Sequence, residues 1–202
     1  HMKWRYLSIA IQNKIQFGLK NVYYAKLTET TTTAGVTTYS YGTPKPFPGA
    51  VSMSLAPNGD TIKEYADDSE WYTLAQNNGY EGDFEYEVMP DDFRTNILNE
   101  TLDAKGVFFE SSNTSTTYFA LLFEVDGDQF KRRNAFLKCS ATRETLENNT
   151  QGESLEPTHG TLTISAVPRA DQRVLAHTSK DVNAAVYNNW FSTVYDTPNS
   201  ST

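Results

Sequence analysis

Residues 83–88, with the sequence DFEYEV, restrict the fold of this chain more than any other segment. Carboxylates and apolar side chains alternate there without a break. Because successive side chains of a β-strand point to opposite faces of a sheet, the alternation predicts a half-buried strand. Phe84, Tyr86 and Val88 should face a hydrophobic core, and the carboxylates should face water.

Other segments also predict a chain built mainly of strands. Residues 118–123, YFALLF, form a continuous apolar run of strand length, which is typical of a strand at the centre of a core. Phe, Trp and Tyr make up 13% of the chain, and these residue types favour pleated sheets. Further strands are predicted over residues 18–25, 50–55, 61–71, 129–133, 135–142 and 161–167.

Two helices are predicted beside the strands. Pro90, Asp91 and Asp92 suit the first turn of a helix, which should end near Thr101. Valine or tryptophan recurs every four residues from Val182 to Val194, which indicates a second, C-terminal helix. A chain of 202 residues suits one domain. We therefore expect a mainly β fold, a sandwich or barrel, with a flanking α-helix and a short C-terminal helix.

One polar stretch, residues 28–42, should project from that domain. It includes a run of four threonines, and it contains almost no charge and no large aliphatic side chain. Such a segment cannot bury a hydrophobic face of its own, so we interpret it as a long hairpin arm or loop. We call residues 28–42 the arm.

Acidic residues are concentrated in one part of the chain. The net charge is −11 between Asn58 and Glu110 and +3 elsewhere, for a total of −8. Proteins that bind nucleic-acid backbones or anionic membranes need clusters of Lys and Arg, so this balance argues against both kinds of binding. The acidic region is either a solvated face or a surface that repels nucleic acid.

The residue types that carry chemistry are sparse. No nucleotide-binding loop and no nucleophile elbow occurs in the sequence. Cys139 is the single cysteine, and we expect it to be a small buried side chain. His159 and His177 lack the spacing of a metal site. The sequence therefore predicts no catalytic residue, no metal and no cofactor.

The strongest clue to function is the order of short motifs along the chain. Residues 18–25 read GLKNVYYA and residues 65–68 read YADD. An acidic strand, a Pro-Asp helix, an apolar strand with a hairpin, and a helix near Trp190 follow in turn. From Gly18 to Tyr195, this series resembles the major tail proteins of long-tailed, non-contractile phages (siphophages).

The resemblance implies a structural subunit of a tail tube. In that family a β-sandwich with a flanking helix forms hexameric rings, whose inner sheets close into one β-barrel around a lumen. The rings stack into a tube that holds the tape-measure protein and later passes the double-stranded DNA genome. Tail-tip and tail-terminator proteins would be further partners, and the protein would be made in the host bacterial cytoplasm and reside in the virion.

The resemblance also divides the chain. It implies one tail tube domain over residues 18–196, preceded by an N-terminal arm, 1–17, and followed by a C-terminal tail, 197–202. His1 and Met2 read as a cloning remnant. Candidate lumen-facing carboxylates are Asp67, Asp68, Glu81, Asp83, Glu85 and Glu87. Candidate ring-stacking residues of the arm are Thr30, Thr31, Thr32, Thr33, Val36, Tyr39 and Tyr41.

Other functions compete with this one. A monomeric β-sandwich could bind a sugar or peptide through aromatic pairs such as Tyr39 with Tyr41 or Trp71 with Tyr72. Paired carboxylates at residues 67–68 or 91–92 could serve a hydrolase. The tube could also belong to a tailocin or a type VI-like injection device, and a tail terminator is a closer rival. The basic residues 131–133 could meet the acidic region of a neighbour or form a solvated hairpin end.

Overall fold

A computed structural model describes residues 18–59, 61–66, 69–113, 115–128, 130–143 and 159–197. The strands are β1 (Leu19–Thr31), β2 (Thr37–Tyr41), β3 (Lys45–Pro46), β4 (Ala50–Pro57), β5 (Thr61–Ala66), β6 (Ser69–Ala75), β7 (Tyr80–Tyr86), β8 (Thr101–Leu102), β9 (Phe108–Phe109), β10 (Phe119–Val125), β11 (Arg133–Ala141), β12 (Gly160–Ala166) and β13 (Leu175–His177). The helices are α1 (Asp91–Asn96) and α2 (Ala184–Asn189).

The main sheet is antiparallel and has the strand order β2-β1-β10-β11-β12-β7-β4. β3 pairs with β1 and β13 pairs with β11, while β5–β6 and β8–β9 form separate two-stranded sheets. The main sheet curves until β4 comes close to β1 again, so side chains from both halves meet in one interior. The predicted mainly β fold, with its sandwich architecture and two short helices, is confirmed.

Strand β10 lies at the centre of this sheet, between β1 and β11. Its residues from Phe119 to Glu124 are all buried. Phe119, Leu121 and Phe123 point into the main core, whereas Ala120 and Leu122 point to the opposite face. A second, smaller core forms on that opposite face, where the C-terminal segment packs against the sheet through Trp190 and Val194.

The main core is organised around aromatic side chains. The ring of Phe47 lies 5.1 Å from that of Phe84, 5.2 Å from that of Phe93 and 5.7 Å from that of Tyr86, all at steep angles. Edge-to-face packing of this kind is favoured by the charge distribution of the rings. Because Phe93 belongs to α1 and Phe84 to β7, the Phe47 ring joins the helix to the sheet.

Several predicted boundaries were wrong. Strand β7 ends at Tyr86, so Val88 is not on its core face: its side chain is 68% exposed, and the buried Met89 turns inward instead. Helix α1 ends well before Thr101, because Asn99 adopts a left-handed backbone conformation with φ of 59°.

Two further predictions changed in detail. The strand predicted over 135–142 is β11, but the one predicted over 129–133 is wrong: residues 130–132 are not in a strand, Lys131 has φ of 46°, and only Arg133 belongs to β11. Residue 129 lies outside the described residues. The strand predicted over 61–71 is the hairpin β5–β6, and Asp67 and Asp68 lie outside the described residues. The C-terminal helix is confirmed but short, and it ends before Trp190 enters the second core.

Truncating Phe47 tests the aromatic core. We expect Phe47→Ala to lower the free energy of unfolding by about 3–5 kcal/mol, since it removes a ring that packs against those of Tyr24, Phe84, Tyr86 and Phe93. Chemical denaturation monitored by circular dichroism measures this. Phe109→Ala is the matched control, because that side chain is 56% exposed and its loss should cost about 0.5 kcal/mol or less. Equal losses in the two variants would contradict this description of the core.

Candidate functional site

The outer face of β4, β7 and β12 is a continuous polar surface. Inward-facing Phe84 is buried, so its neighbours on β7 point away from the core. Each outward carboxylate of β7 lies between one residue of β4 and one of β12. The three rows are Ser52–Glu85–Thr161, Ser54–Asp83–Thr163 and Ala56–Glu81–Ser165. We call these nine residues the acidic face.

Hydroxyl groups line the carboxylates of the acidic face. Ser52 Oγ donates a hydrogen bond of 2.7 Å to Glu85, and Thr163 Oγ1 donates one of 3.2 Å to Asp83. The described strands β4, β7 and β12 contain no lysine or arginine. Like charges on alternate residues of one strand repel each other, so water should cover this face.

Of the other predicted acidic residues, Glu87 lies just outside this face, and Asp67 and Asp68 lie outside the described residues. Glu87 lies past the end of β7, and its carboxylate is 3.4 Å from Nδ1 of His159. Glu81, Asp83 and Glu85 lie together as predicted. Whether the acidic face borders a lumen stays a prediction.

The arm is a β-hairpin, as predicted. Its strands pair from Leu27 opposite Tyr41 to Thr31 opposite Thr37, and the tip turns at Gly35 with φ of 79°. All residues from Thr30 to Val36 are exposed, and Val36 is 59% exposed at the tip. The tip therefore presents a polar, almost uncharged surface to solvent.

The base of the arm, in contrast, packs on its own domain. Tyr41 is half-buried, and its hydroxyl donates to the Leu137 carbonyl at 3.0 Å. The Tyr39 hydroxyl accepts from the backbone N–H of Ala170 at 2.7 Å. Two of the seven predicted ring-stacking residues are therefore engaged within the subunit, which the polar composition of residues 28–42 did not suggest.

A buried arginine lies beneath this base. The Arg169 side chain is 1% exposed. Its guanidinium donates to Asp171, to Asp196 at 2.7 Å and to the Tyr41 hydroxyl at 2.9 Å. Arg173 also donates to Asp196, at 3.2 Å. We call these five residues the Arg169 cluster.

Electrostatics within the cluster follow from burial and pairing. Burial alone would raise the pKa of Asp171, but hydrogen bonds from Arg169 and the charges of both arginines hold it below its ordinary value. Burial alone would lower the pKa of Arg169. Its hydrogen bonds to Asp171 and Asp196 outweigh this effect and hold the pKa above the ordinary value of arginine, so the guanidinium stays charged. Burial raises the pKa of Tyr41 to about 12, so its hydroxyl stays protonated.

Sequence reasoning missed this cluster. Residues 169–173, RADQR, show a local charge pattern but give no sign that Tyr41 and Asp196 are its partners. For the basic residues 131–133, the sequence left open a contact with a neighbour or a solvated hairpin end. Arg133 faces inward, 3.7 Å from Glu124, with its guanidinium over the ring of Tyr187 at 3.8 Å. It is therefore committed to the subunit's own fold.

Cys139 and Asp92, which could have carried chemistry, lie in contacts that stabilise the fold. Cys139 is fully buried, and burial raises the pKa of its thiol. Asp92 pairs with Lys45 at 2.8 Å at the start of α1. Among the described residues, no three His, Cys, Asp or Glu side chains come together as a metal site. In that same part of the chain, no helix is long and apolar enough to cross a membrane.

An open depression of about 780 Å³ lies beside α1. Its charged groups pair with one another: Arg94 with Glu100 at 3.3 Å, and Arg143 with Glu110 at 2.6 Å. The Asn99 side chain bonds Thr117 across the cleft wall. These contacts hold the loop after α1 in place.

Comparison with known proteins gives a weak structural likeness. No protein-family model and no curated protein matches the chain. Among solved structures, it is similar to a chain in the sixfold-symmetrised cryo-EM structure of the anti-feeding prophage (AFP) baseplate. The identity is 10% and the TM-score 0.39, over 79% of this chain and 94% of that chain. That neighbour comes from a phage-tail-related particle.

The lowered pKa of Asp171 predicts an acid-dependent loss of stability. A carboxyl with a lowered pKa in the folded state stabilises the fold above its unfolded pKa of about 3.9, and this contribution disappears as pH falls through the folded pKa. We expect Asp171→Asn to lower the free energy of unfolding at pH 7 and to flatten its decline below about pH 4.

Denaturant titrations at several pH values measure this slope. Asp126→Asn is the control, because Asp126 is exposed and pairs with the exposed Lys20 at 3.9 Å. An acid slope that is the same in Asp171→Asn as in the unmodified protein would contradict the assignment of Asp171 to the cluster.

Proposed function

We propose that this chain is a structural subunit of a phage-type tail tube. In this proposal, copies form hexameric rings that stack into a hollow conduit for the tape-measure protein and then for the genome. The single observation that carries the proposal is the acidic face. It is a three-stranded wall of hydroxyl and carboxylate groups without a basic residue on its described strands.

Such a wall suits a lumen through which DNA passes. Non-specific affinity for DNA comes mostly from Lys and Arg contacts to phosphates, which release counterions. The acidic face offers no such contact, so DNA would slide past it without being held. The hydroxyls of Ser52, Ser54, Thr161 and Thr163 keep the wall wet.

The terminal strands of the main sheet suit ring formation. β4 and β2 end the strand order, and neither contains a charged residue. Exposed edges normally carry charges that prevent pairing with other chains, so uncharged edges favour it. A head-to-tail contact between β4 of one copy and the opposite edge of the next would close into a ring.

The exposed tip of the arm would then reach the adjacent ring. Tail-tip and tail-terminator proteins would cap the stack, and the protein would reside in the virion. The proposal assigns the chain no catalysis. A tailocin or a type VI-like device would use the same subunit contacts. A sugar or peptide site at Tyr39 and Tyr41 is disfavoured, because both hydroxyls bond within the subunit.

Reversing the charge of the acidic face tests the lumen assignment. We expect the triple variant Glu81→Lys, Asp83→Lys, Glu85→Lys to form tubes that bind a short DNA duplex inside, because lysines now contact the phosphates. The affinity should fall with salt at a log–log slope of about −0.9 per phosphate contact. Fluorescence anisotropy measures the affinity, and cryo-EM locates the duplex.

The matched control changes the net charge equally on other exposed positions: Asp91→Lys, Asp126→Lys, Asp181→Lys. DNA bound outside the tube in the first variant, or equal affinity in both variants with no density in the lumen, would contradict the assignment.

Shortening the arm tests its role in stacking. Replacing residues 31–37 with Asn-Gly joins Thr30 to Thr38 through a two-residue turn that suits hairpins. We expect folded protein with a nearly unchanged melting temperature that no longer forms tubes, since the tip is exposed and its hydrogen bonds, such as Thr31 with Thr37, lie within the arm itself. Light scattering follows assembly. A length-preserving variant, Thr33→Ser with Ala34→Ser, should assemble normally. Normal tubes from the shortened protein would refute the role.

A further inference from the structure

The direction of the arm is not set by the sheet that it leaves. β1 pairs with β10 as far as Lys26, the Leu27 N–H still donates to the Tyr118 carbonyl at 2.8 Å, and from Thr28 onward the ladder of β1 is with β2. A hairpin of two strands is marginally stable in water unless it packs on something else. The contacts at the arm's base must therefore hold it in place.

Those contacts converge on Arg169. Its guanidinium lies 4.1 Å from the centre of the Tyr39 ring and donates a hydrogen bond of 2.9 Å to the Tyr41 hydroxyl. The next residue, Ala170, donates its N–H to the Tyr39 hydroxyl. Tyr39 and Tyr41 are two residues apart on β2, so both point to the same face of the hairpin. A second tie, between Lys138 and Glu29 at 2.7 Å, lies on that same face, because Glu29 is opposite Tyr39.

Arg169 is held in turn by the C-terminal segment. A guanidinium this deeply buried needs charged partners to offset its lost hydration. Asp171 supplies one carboxylate from the same loop, and Asp196 supplies the other from 27 residues further along the chain. Asp196 also accepts from Arg173, which donates to the Thr197 carbonyl at 2.6 Å.

We propose that Arg169 is the positioning residue of the arm and that Asp196 of the C-terminal segment is the counter-ion on which it depends. Docking of that segment strengthens the hold on the arm beyond what the Lys138–Glu29 and Tyr41–Leu137 contacts supply. A molecule that displaces residues 194–197 would loosen the arm at the same time. The arm and the C-terminal segment are coupled through the buried charge of Arg169, within a single subunit and independently of ring formation.

Hydrogen exchange of the purified full chain tests the coupling. We expect Asp196→Asn to speed exchange in residues 30–41 by at least about tenfold, because one charged hydrogen bond to Arg169 is weakened. Exchange in β10 should change by less than about twofold, since the central strand reports on global opening. Asp181→Asn is the matched control, an exposed carboxylate in the same part of the chain that pairs only with Lys180.

Two results would overturn the proposal. In the first, Asp196→Asn speeds exchange only in residues 190–197 and leaves the arm protected. In the second, the arm and β10 speed up equally, which is general destabilisation and not positioning. Arg169→Lys keeps the charge but not the forked geometry, and it should loosen the arm in the same way.

Assembly of the same variants separates this inference from the proposed function. If Asp196→Asn loosens the arm and tubes still form, the coupling stands and the stacking role of the arm is wrong. If the arm stays protected in Asp196→Asn, the coupling is wrong whatever the tubes do.

Discussion

The burial of strand β10 on both faces is the constraint on which the rest of the structure depends. Phe119, Leu121 and Phe123 on one face require a cover, and the curved sheet with α1 supplies it. Ala120 and Leu122 on the other face require a second cover, which the C-terminal segment supplies. Removing this much apolar surface from water is the main favourable term in folding. The C-terminal segment is thus part of the core and also carries Asp196.

The acidic face and the arm follow from this arrangement. Because β7 uses its aromatic side chains to close the main core, its carboxylates have only the outer face left. Because the second core holds the C-terminal segment beside β11, Asp196 reaches the buried Arg169, which ties down the base of the arm. A solvated acidic face and an arm held in place are the two features that the proposed tube subunit would need.

Local periodicity explains what the sequence could predict. The alternation at residues 83–88 and the apolar run at 118–123 were enough to locate β7 and β10, although β7 ends at Tyr86 and not at Val88, and the threonine-rich stretch indicated a hairpin or loop. The end of α1 was missed because it depends on the backbone of Asn99. The Arg169 cluster was missed because Tyr41 and Asp196 are 128 and 27 residues away. No local pattern marks such partners.

The claim that this chain is a tube subunit is tested most directly by negative-stain electron microscopy. The purified protein is imaged over a series of concentrations, and light scattering is measured in parallel. The account predicts sixfold rings or hollow tubes of uniform width as the concentration rises. These should also form when tail-tip material is added as an initiator. A protein that remains a monomer at every concentration, with and without such an initiator, would contradict the claim that this chain is a tube subunit.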